Sequence, residues 1–275
     1  MGVVAATADE PLTMSARLNY LWRLSVTGMA FVLFGLGGMA MSFVVVPLLY
    51  VLPGGAPARI RRARRLITAS FAGLVNTLSF FGVMRLTVNH GERLKNAGPM
   101  LVLANHPTFL DVVVLIAHMP NANCVVKSAL WRNPFFGGIV RAAGYVRNDD
   151  SGEVVDACVA SFAQQAPLLI FPEGTRSMPG RPLHFVRGAA HIALRSGSAV
   201  LPIVIRCDPP TLGKGERWYH IPPRAFHIIV DVHAARDLSD WVESDAPPAI
   251  SARRLTETLE HYFSGALHAD ERTAV

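Results

Sequence analysis

Between Arg23 and Arg59 the chain carries no charged residue. That gap contains "LSVTGMAFVLFGLGGMAMSFVVVPLLYVL" (24–52), which exceeds the roughly 20 apolar residues a helix needs to cross a bilayer. A chain with such a segment has to bury it in a core, place it in lipid or lose it by processing. Processing fits poorly, because a signal-peptide core is shorter, sits nearer the start and is followed by an A-x-A site that is missing here. The segment is therefore expected to be a membrane-associated helix. Pro47 and the Gly35, Gly37, Gly38 cluster are the points where it would kink or fold back as a re-entrant hairpin. Arg59, Arg61, Arg62, Arg64 and Arg65 follow directly, and the positive-inside rule puts that flank in the cytoplasm. Arg17 and Arg23 flank the other side in smaller number.

A second uncharged stretch, "LITASFAGLVNTLSFFGVM" (66–84), is interrupted by Thr68, Ser70, Asn76, Thr77 and Ser79. Hydropathy leaves three readings open: an interfacial helix beside anionic head groups, a second span, or a buried core helix. Apolar residues reach 51% and charged residues only 17%, so the whole chain is greasier than an ordinary soluble domain. The net charge of +6 is modest, and the basic cluster abuts greasy segments rather than stacking aromatics, which argues against nucleic acid. Cys124, Cys158 and Cys207 form no C-x-x-C pair and show no ligand spacing with histidine, so they read as reduced, buried thiols.

From about residue 85 short apolar runs alternate with longer mixed segments. "MLVLAN", "ANCVVK", "PLLIFP", "AVLPIVIR" and "AFHIIVDVH" read as strands, several of them apolar on both faces, with helices predicted at 108–118, 152–165 and 187–196. This pattern predicts an α/β fold with a largely parallel central sheet flanked by helices. A last helix is expected to pack through Ile250, Leu255, Leu259 and Tyr262. The expected organisation is an N-terminal membrane anchor of interfacial helices over 1–84 and a catalytic domain over 85–275.

Within that domain "ANHPTFLD" separates His106 and Asp111 by five residues with Pro107 between them. Inside one helix the two side chains would point about 140° apart. Proline pushes the residue before it into extended conformation, so His106 should close a strand while Asp111 enters the first turn of a helix. The carboxylate can then reach back to one ring nitrogen and leave the other to accept a proton, which is a base with its orienting acid and no protein nucleophile. Equally, Thr108 to Asp111 fits a helix cap in which the carboxylate serves only backbone N–H groups. A second loop, "FPEGTRS", follows another buried strand. Glu173 could order Arg176 or meet a substrate hydroxyl, Gly174 allows close backbone approach, Thr175 offers a hydroxyl and Arg176 a planar fork for phosphate oxygens. Alone, this loop would read as a surface turn with a solvated ion pair.

Together, Asn105–Asp111 and Phe171–Ser177 resemble the first and third motifs of the 1-acylglycerol-3-phosphate O-acyltransferase family, the lysophosphatidic acid acyltransferases. The likeness spans about residues 85–235. It extends to Lys127, Leu130, Pro134 and Gly137, to "FVRGAAHIAL", and to Pro202 in "VLPIVI". The resemblance implies transfer of a fatty acyl group from acyl-CoA or acyl carrier protein to the hydroxyl of a lysophospholipid, with the thioester as co-substrate and no further cofactor or metal. It assigns catalysis to His106 and Asp111 and substrate binding to Glu173, Gly174, Thr175 and Arg176, with Arg147 or Lys127 assisting. The implied location is a membrane, with the catalytic domain on the cytoplasmic side of an inner membrane. One position departs: where the family carries a basic residue after Gly144, this chain has Asp150, and the nearest cation is Arg147. That departure leaves room for a different acceptor, such as a lyso-ornithine lipid or a glycolipid. A lipid-binding module without catalysis is the reading from another class.

Overall fold

The computed structural model describes residues 13–148, 153–178, 180–242 and 246–271. It opens with one continuous helical run, Met14–Val51, made of α1 (Met14–Ala40), a π-helical turn (Met41–Val45) and α2 (Val46–Val51). The wider turn stands just before Pro47, whose ring would otherwise clash with the carbonyl four residues back. The run ends at Leu52-Pro53-Gly54-Gly55. Both glycines take positive φ, +110° and +64°, a pair of conformations that side-chain-bearing residues rarely accept in succession.

Helix α3 (Gly55–Phe80) then returns along the domain and leads into β1 (Met84–Asn89) and α4 (Glu92–Lys95). The next elements are β2 (Leu101–Ala104), α5 (Asp111–His118), β3 (Asn123–Lys127), α6 (Ser128–Arg132), α7 (Gly137–Ala142) and β4 (Val146–Asn148). After them come α8 (Val154–Ser161), β5 (Leu168–Ile170), α9 (Gly188–Ser196), β6 (Val200–Asp208), β7 (Phe226–Val232) and α10 (Pro248–Glu271). The strands form a seven-stranded sheet in the order β1-β7-β6-β2-β5-β3-β4. Every pairing is parallel except β6 with β7, so the largely parallel α/β architecture expected from the sequence is the one found.

Two apolar layers cover the sheet. On one side Leu49, Ala63, Ile67 and Val75 of the N-terminal helices share a core with Val102, Val113, Ile203 and Val230. On the other, Leu101, Leu168 and Val200 meet Ile192 of α9 and Leu255 and Phe263 of α10. Each Val, Leu, Ile or Phe side chain among them contributes roughly 1.5–3 kcal/mol by leaving water. Ile250, expected inside, is 46% exposed, and Ala252 and Phe263 take the buried side of α10 with Leu255 and Leu259.

Helix α3 resolves the reading of residues 66–84. It buries Ala63, Ile67, Val75 and Leu78 as a core helix against the sheet domain. Arg64, counted in the sequence among cations facing lipid head groups, is 1% exposed. Its guanidinium donates to the Ala143 carbonyl at 2.9 Å, the Asn121 carbonyl at 3.3 Å and Gln164 Oε1 at 2.7 Å. Arg59 instead stacks over the Tyr50 ring, 4.1 Å from its centroid, and Arg62 donates to the Pro53 carbonyl.

Candidate active site

The site forms where β2 stops before its partner β6 does. Asn105 makes this possible. Its side-chain amide donates to the Ile205 carbonyl at 2.8 Å and its Oδ1 accepts from the Ile205 N–H at 2.7 Å, imitating one more rung of the ladder. The edge of β6 stays satisfied while the main chain is freed to turn at His106-Pro107. Helix α5 then begins at Asp111 itself.

Asp111 is fully buried, and its Oδ2 lies 2.9 Å from His106 Nδ1 and 2.8 Å from the Thr108 N–H, which it accepts. The two readings of this carboxylate are therefore both realised, as it caps the turn and orients the imidazole at once. With Nδ1 as the donor, the other ring nitrogen, Nε2, is left as an acceptor. The His106 side chain keeps 19% of its surface exposed, so the ring is held yet reachable. Its opposite restraint is Phe171, stacked at 4.1 Å between centroids and 23° between planes. Burial pushes the Asp111 carboxyl up to about 6, against the downward pull of the hydrogen bonds from His106 and Thr108.

The second loop meets the first through the backbone of the histidine. Glu173 Oε1 accepts the His106 N–H at 2.9 Å and the Ser177 hydroxyl at 2.7 Å, while the Ser177 N–H donates to the His106 carbonyl at 2.8 Å. Of the two roles the sequence offered Glu173, ordering Arg176 is not the one found, because its Oε1 serves the His106 main chain and the Ser177 hydroxyl. Burial raises its pKa, and the bonds from Ser177 and His106 oppose that shift. Gly174 sits at φ +67°, a left-handed position that lets the loop double back beside His106. Arg176 is not a wholly free fork: its Nη1 donates to the Leu212 and Gly213 carbonyls at 2.7 and 2.9 Å. Thr175 stands between them, half-buried.

Lys127 closes β3 and Arg147 is the exposed middle residue of β4, opposite Val126 in the register, and so they lie one and two strands beyond β5. No described contact brings either of them to His106. Asp150, the position that departs from the family pattern, lies outside the described residues. Burial pushes the thiols of Cys124, Cys158 and Cys207 up to about 12, so none is a ready thiolate nucleophile.

Three contributors escaped the sequence reading. Phe171 and Ser177 carry no role in the sequence beyond being the first and last letters of a motif. The third is the β6–β7 connection. Its Leu212 carbonyl also accepts the Phe109 N–H at 3.2 Å, and Phe109 stacks on Phe31 of α1. Between α1, α3 and this connection runs a narrow apolar cleft of about 40 Å³, whose walls include Phe31, Phe34, Leu78, Phe109, Leu110 and Leu212. Leu110 and Phe109, two of its lining residues, belong to the same turn as His106, although the imidazole itself does not line the cleft.

Comparison with known proteins agrees with this geometry. The Acyltransferase family matches residues 85–206. A 1-acyl-sn-glycerol-3-phosphate acyltransferase of Helicobacter pylori is 35% identical over 117 residues, which is 40% of this chain and 49% of that protein. A chloroplastic enzyme of the same name from Arabidopsis thaliana is 28% identical, over 52% of this chain and 42% of its own. The alpha form from Mus musculus is 26% identical, with 55% of each chain covered. The chain thus spans about half the length of the curated relatives it matches. The crystal structure of the 1-acyl-sn-glycerophosphate acyltransferase PlsC from Thermotoga maritima has the same fold, with a TM-score of 0.64 at 16% identity, over 90% of this chain and 97% of that one. Over residues 85–206 the chain matches the Acyltransferase family and is similar there to the 1-acyl-sn-glycerol-3-phosphate acyltransferases.

Proposed function

We propose that the protein is a membrane-associated acyltransferase that moves a fatty acyl group from acyl-CoA or acyl carrier protein to the free hydroxyl of a lysophospholipid, 1-acylglycerol-3-phosphate first among them. The observation that carries this reading is the His106–Asp111 pair, on a turn whose Phe109 and Leu110 line an apolar cleft. In this scheme the acceptor hydroxyl oxygen attacks the thioester carbonyl as Nε2 of His106 takes its proton. Asp111 holds the ring in the required tautomer and favours the imidazolium that forms. When the C–S bond breaks, the proton passes to the departing sulfur and the thiol leaves. No acyl-enzyme is needed, which suits a site whose histidine has an acid partner and no nucleophile. The Nε and Nη2 edge of Arg176, turned away from its two carbonyl partners, would hold the head group, with Arg147 or Lys127 assisting.

The membrane role draws on the Met14–Val51 run, the helix long and apolar enough among the described residues to cross a bilayer. Thr27, Ala30, Gly38 and Leu49 are buried on the domain, while Leu21, Trp22, Met29, Leu33 and Leu36 are more than half exposed. That outward face is the one lipid would cover, with the catalytic domain beside it, and the arginine-rich turn argues for the cytoplasmic side. This would bring bilayer-resident substrates to the cavity laterally. Within the 1–84 segment expected as an anchor, the membrane role is proposed for the Met14–Val51 run, whereas α3 packs into the core of the catalytic domain over 85–275.

A second acceptor, such as a lyso-ornithine lipid or a glycolipid, is favoured by the single departure at Asp150. Purified protein supplied with one labelled thioester and a panel of lyso-acceptors distinguishes them by product mass. Phosphatidic acid as the dominant product is expected. Another lipid in its place would replace the named acceptor, and transfer to none of them would defeat the reading.

A further inference from the structure

Leu212 is the one residue of the β6–β7 connection that is both strained and inside. Its φ is +53°, a left-handed conformation that branched, bulky side chains rarely take, and yet it is 8% exposed. A glycine follows it at position 213, so the chain placed the side chain at the costly position with the permissive residue next door. Such a conformation persists where its surroundings over-determine it, and here they do on two sides. The flipped peptide presents the Leu212 carbonyl to the Phe109 N–H at 3.2 Å and to Arg176 Nη1 at 2.7 Å. Arg176 also takes the Gly213 carbonyl at 2.9 Å, and the Gly213 N–H donates to Glu216 Oε2 at 2.8 Å. The side chain, meanwhile, forms part of the wall of the apolar cavity with Thr211 and Leu110.

Both motifs therefore converge on one peptide. Phe109 belongs to the turn that carries His106, and Arg176 precedes Ser177, whose N–H bonds the His106 carbonyl. The wall of the cavity is tied to the catalytic turn through three hydrogen bonds rather than by packing alone. We propose that Leu212, held in place by Arg176, is the specificity-determining residue that sets which acyl chains reach His106. Arg176 acts in this as a positioning residue, in addition to any contact with the acceptor. This rests on the reading of the cavity as the acyl site.

The experiment compares L212G, L212F and R176K with the wild type on saturated acyl thioesters of graded length, with acceptor KM measured alongside. Glycine keeps the left-handed backbone without strain, so L212G keeps the fold while removing the wall. It should shift kcat/KM toward longer chains by about tenfold relative to the shortest, the scale expected for a few methylenes in an apolar pocket. L212F should shift the profile the other way. R176K, with one donor in place of a fork, should move the profile in the same direction as L212G, by less. Unchanged profiles in both Leu212 variants, or an R176K effect confined to acceptor KM, overturn the proposal. Displacement of a fluorescent fatty acid by acids of graded length reads the cavity without turnover. If the wild type transfers to no acceptor, the acyltransferase reading fails, while a Leu212-dependent length profile in displacement still supports the wall, and a profile independent of Leu212 rejects it.

Discussion

In Asp111→Asn the side chain keeps its shape and loses its charge, and the structure states what that change is worth at each pH. The wild-type carboxyl is fully buried, its Oδ1 has no partner, and burial raises its pKa from 3.8 to about 6. His106 and Thr108 pull the value down and the Glu173 carboxylate pushes it up, but desolvation is the largest influence. Between pH of about 4 and 6 the folded protein therefore holds a proton that the unfolded chain has released. Wild-type stability falls as pH rises through that window, by about 3 kcal/mol for a gap of about two pH units. Asparagine does not titrate. Its amide meets no partner where Oδ1 now sits, at a cost of about 1–3 kcal/mol, but that cost is the same at every pH. The stability of the variant minus that of the wild type should thus grow by about 3 kcal/mol between pH 4 and pH 7.5. Urea unfolding in detergent, followed by tryptophan fluorescence with slopes compared at each pH, measures it. A difference that is flat across that range refutes the reasoning. One that grows toward acid would mean that ion pairing with His106 outweighs burial. Activity should fall by up to about 10⁴-fold at the same time, because a neutral amide no longer favours the imidazolium that forms.

Glu173→Ala should lower kcat about 100-fold with acceptor KM nearly unchanged, since it releases the His106 backbone rather than a substrate. Glu173→Gln, which keeps an accepting oxygen, should recover most of the loss in the same steady-state assay. Arg64→Met leaves the Ala143 carbonyl and Gln164 without their donor. It should cost about 2–4 kcal/mol, seen in thermal unfolding as a Tm lower by about 5–12 °C with the substrate profile intact. Leu33→Glu and Leu36→Glu together place charge on the outward face of α1 and should reduce sedimentation with phospholipid vesicles about tenfold or more. Unchanged sedimentation would remove that face from the membrane account.

Much of this site was written in the sequence because proline and glycine act locally. Pro107 forces the extended residue before it, so the strand-to-helix turn between His106 and Asp111 could be derived before any coordinates. The strands that were missed were those with least apolar signal: β4 is three residues long with two of them exposed, and β1 is an edge strand alternating Arg85, Thr87 and Asn89 outward. The role of Glu173 was not legible, because a carboxylate that accepts backbone N–H groups looks in sequence like one that binds a cation. Arg64 was misplaced for a related reason. A guanidinium can be satisfied by carbonyls as well as by lipid phosphates, and only packing decides which it meets. The participation of Leu212 depends on a left-handed backbone that leucine does not advertise.

The central claim is that His106 is the base in direct acyl transfer, and single-turnover rates of the wild type and His106→Ala on one thioester and one lyso-acceptor test it most directly. A loss of at least about 1,000-fold is expected, with an unchanged unfolding midpoint and no acyl group left on the protein. A variant within about tenfold of the wild type, or an acyl-protein formed at a competent rate, would contradict the claim.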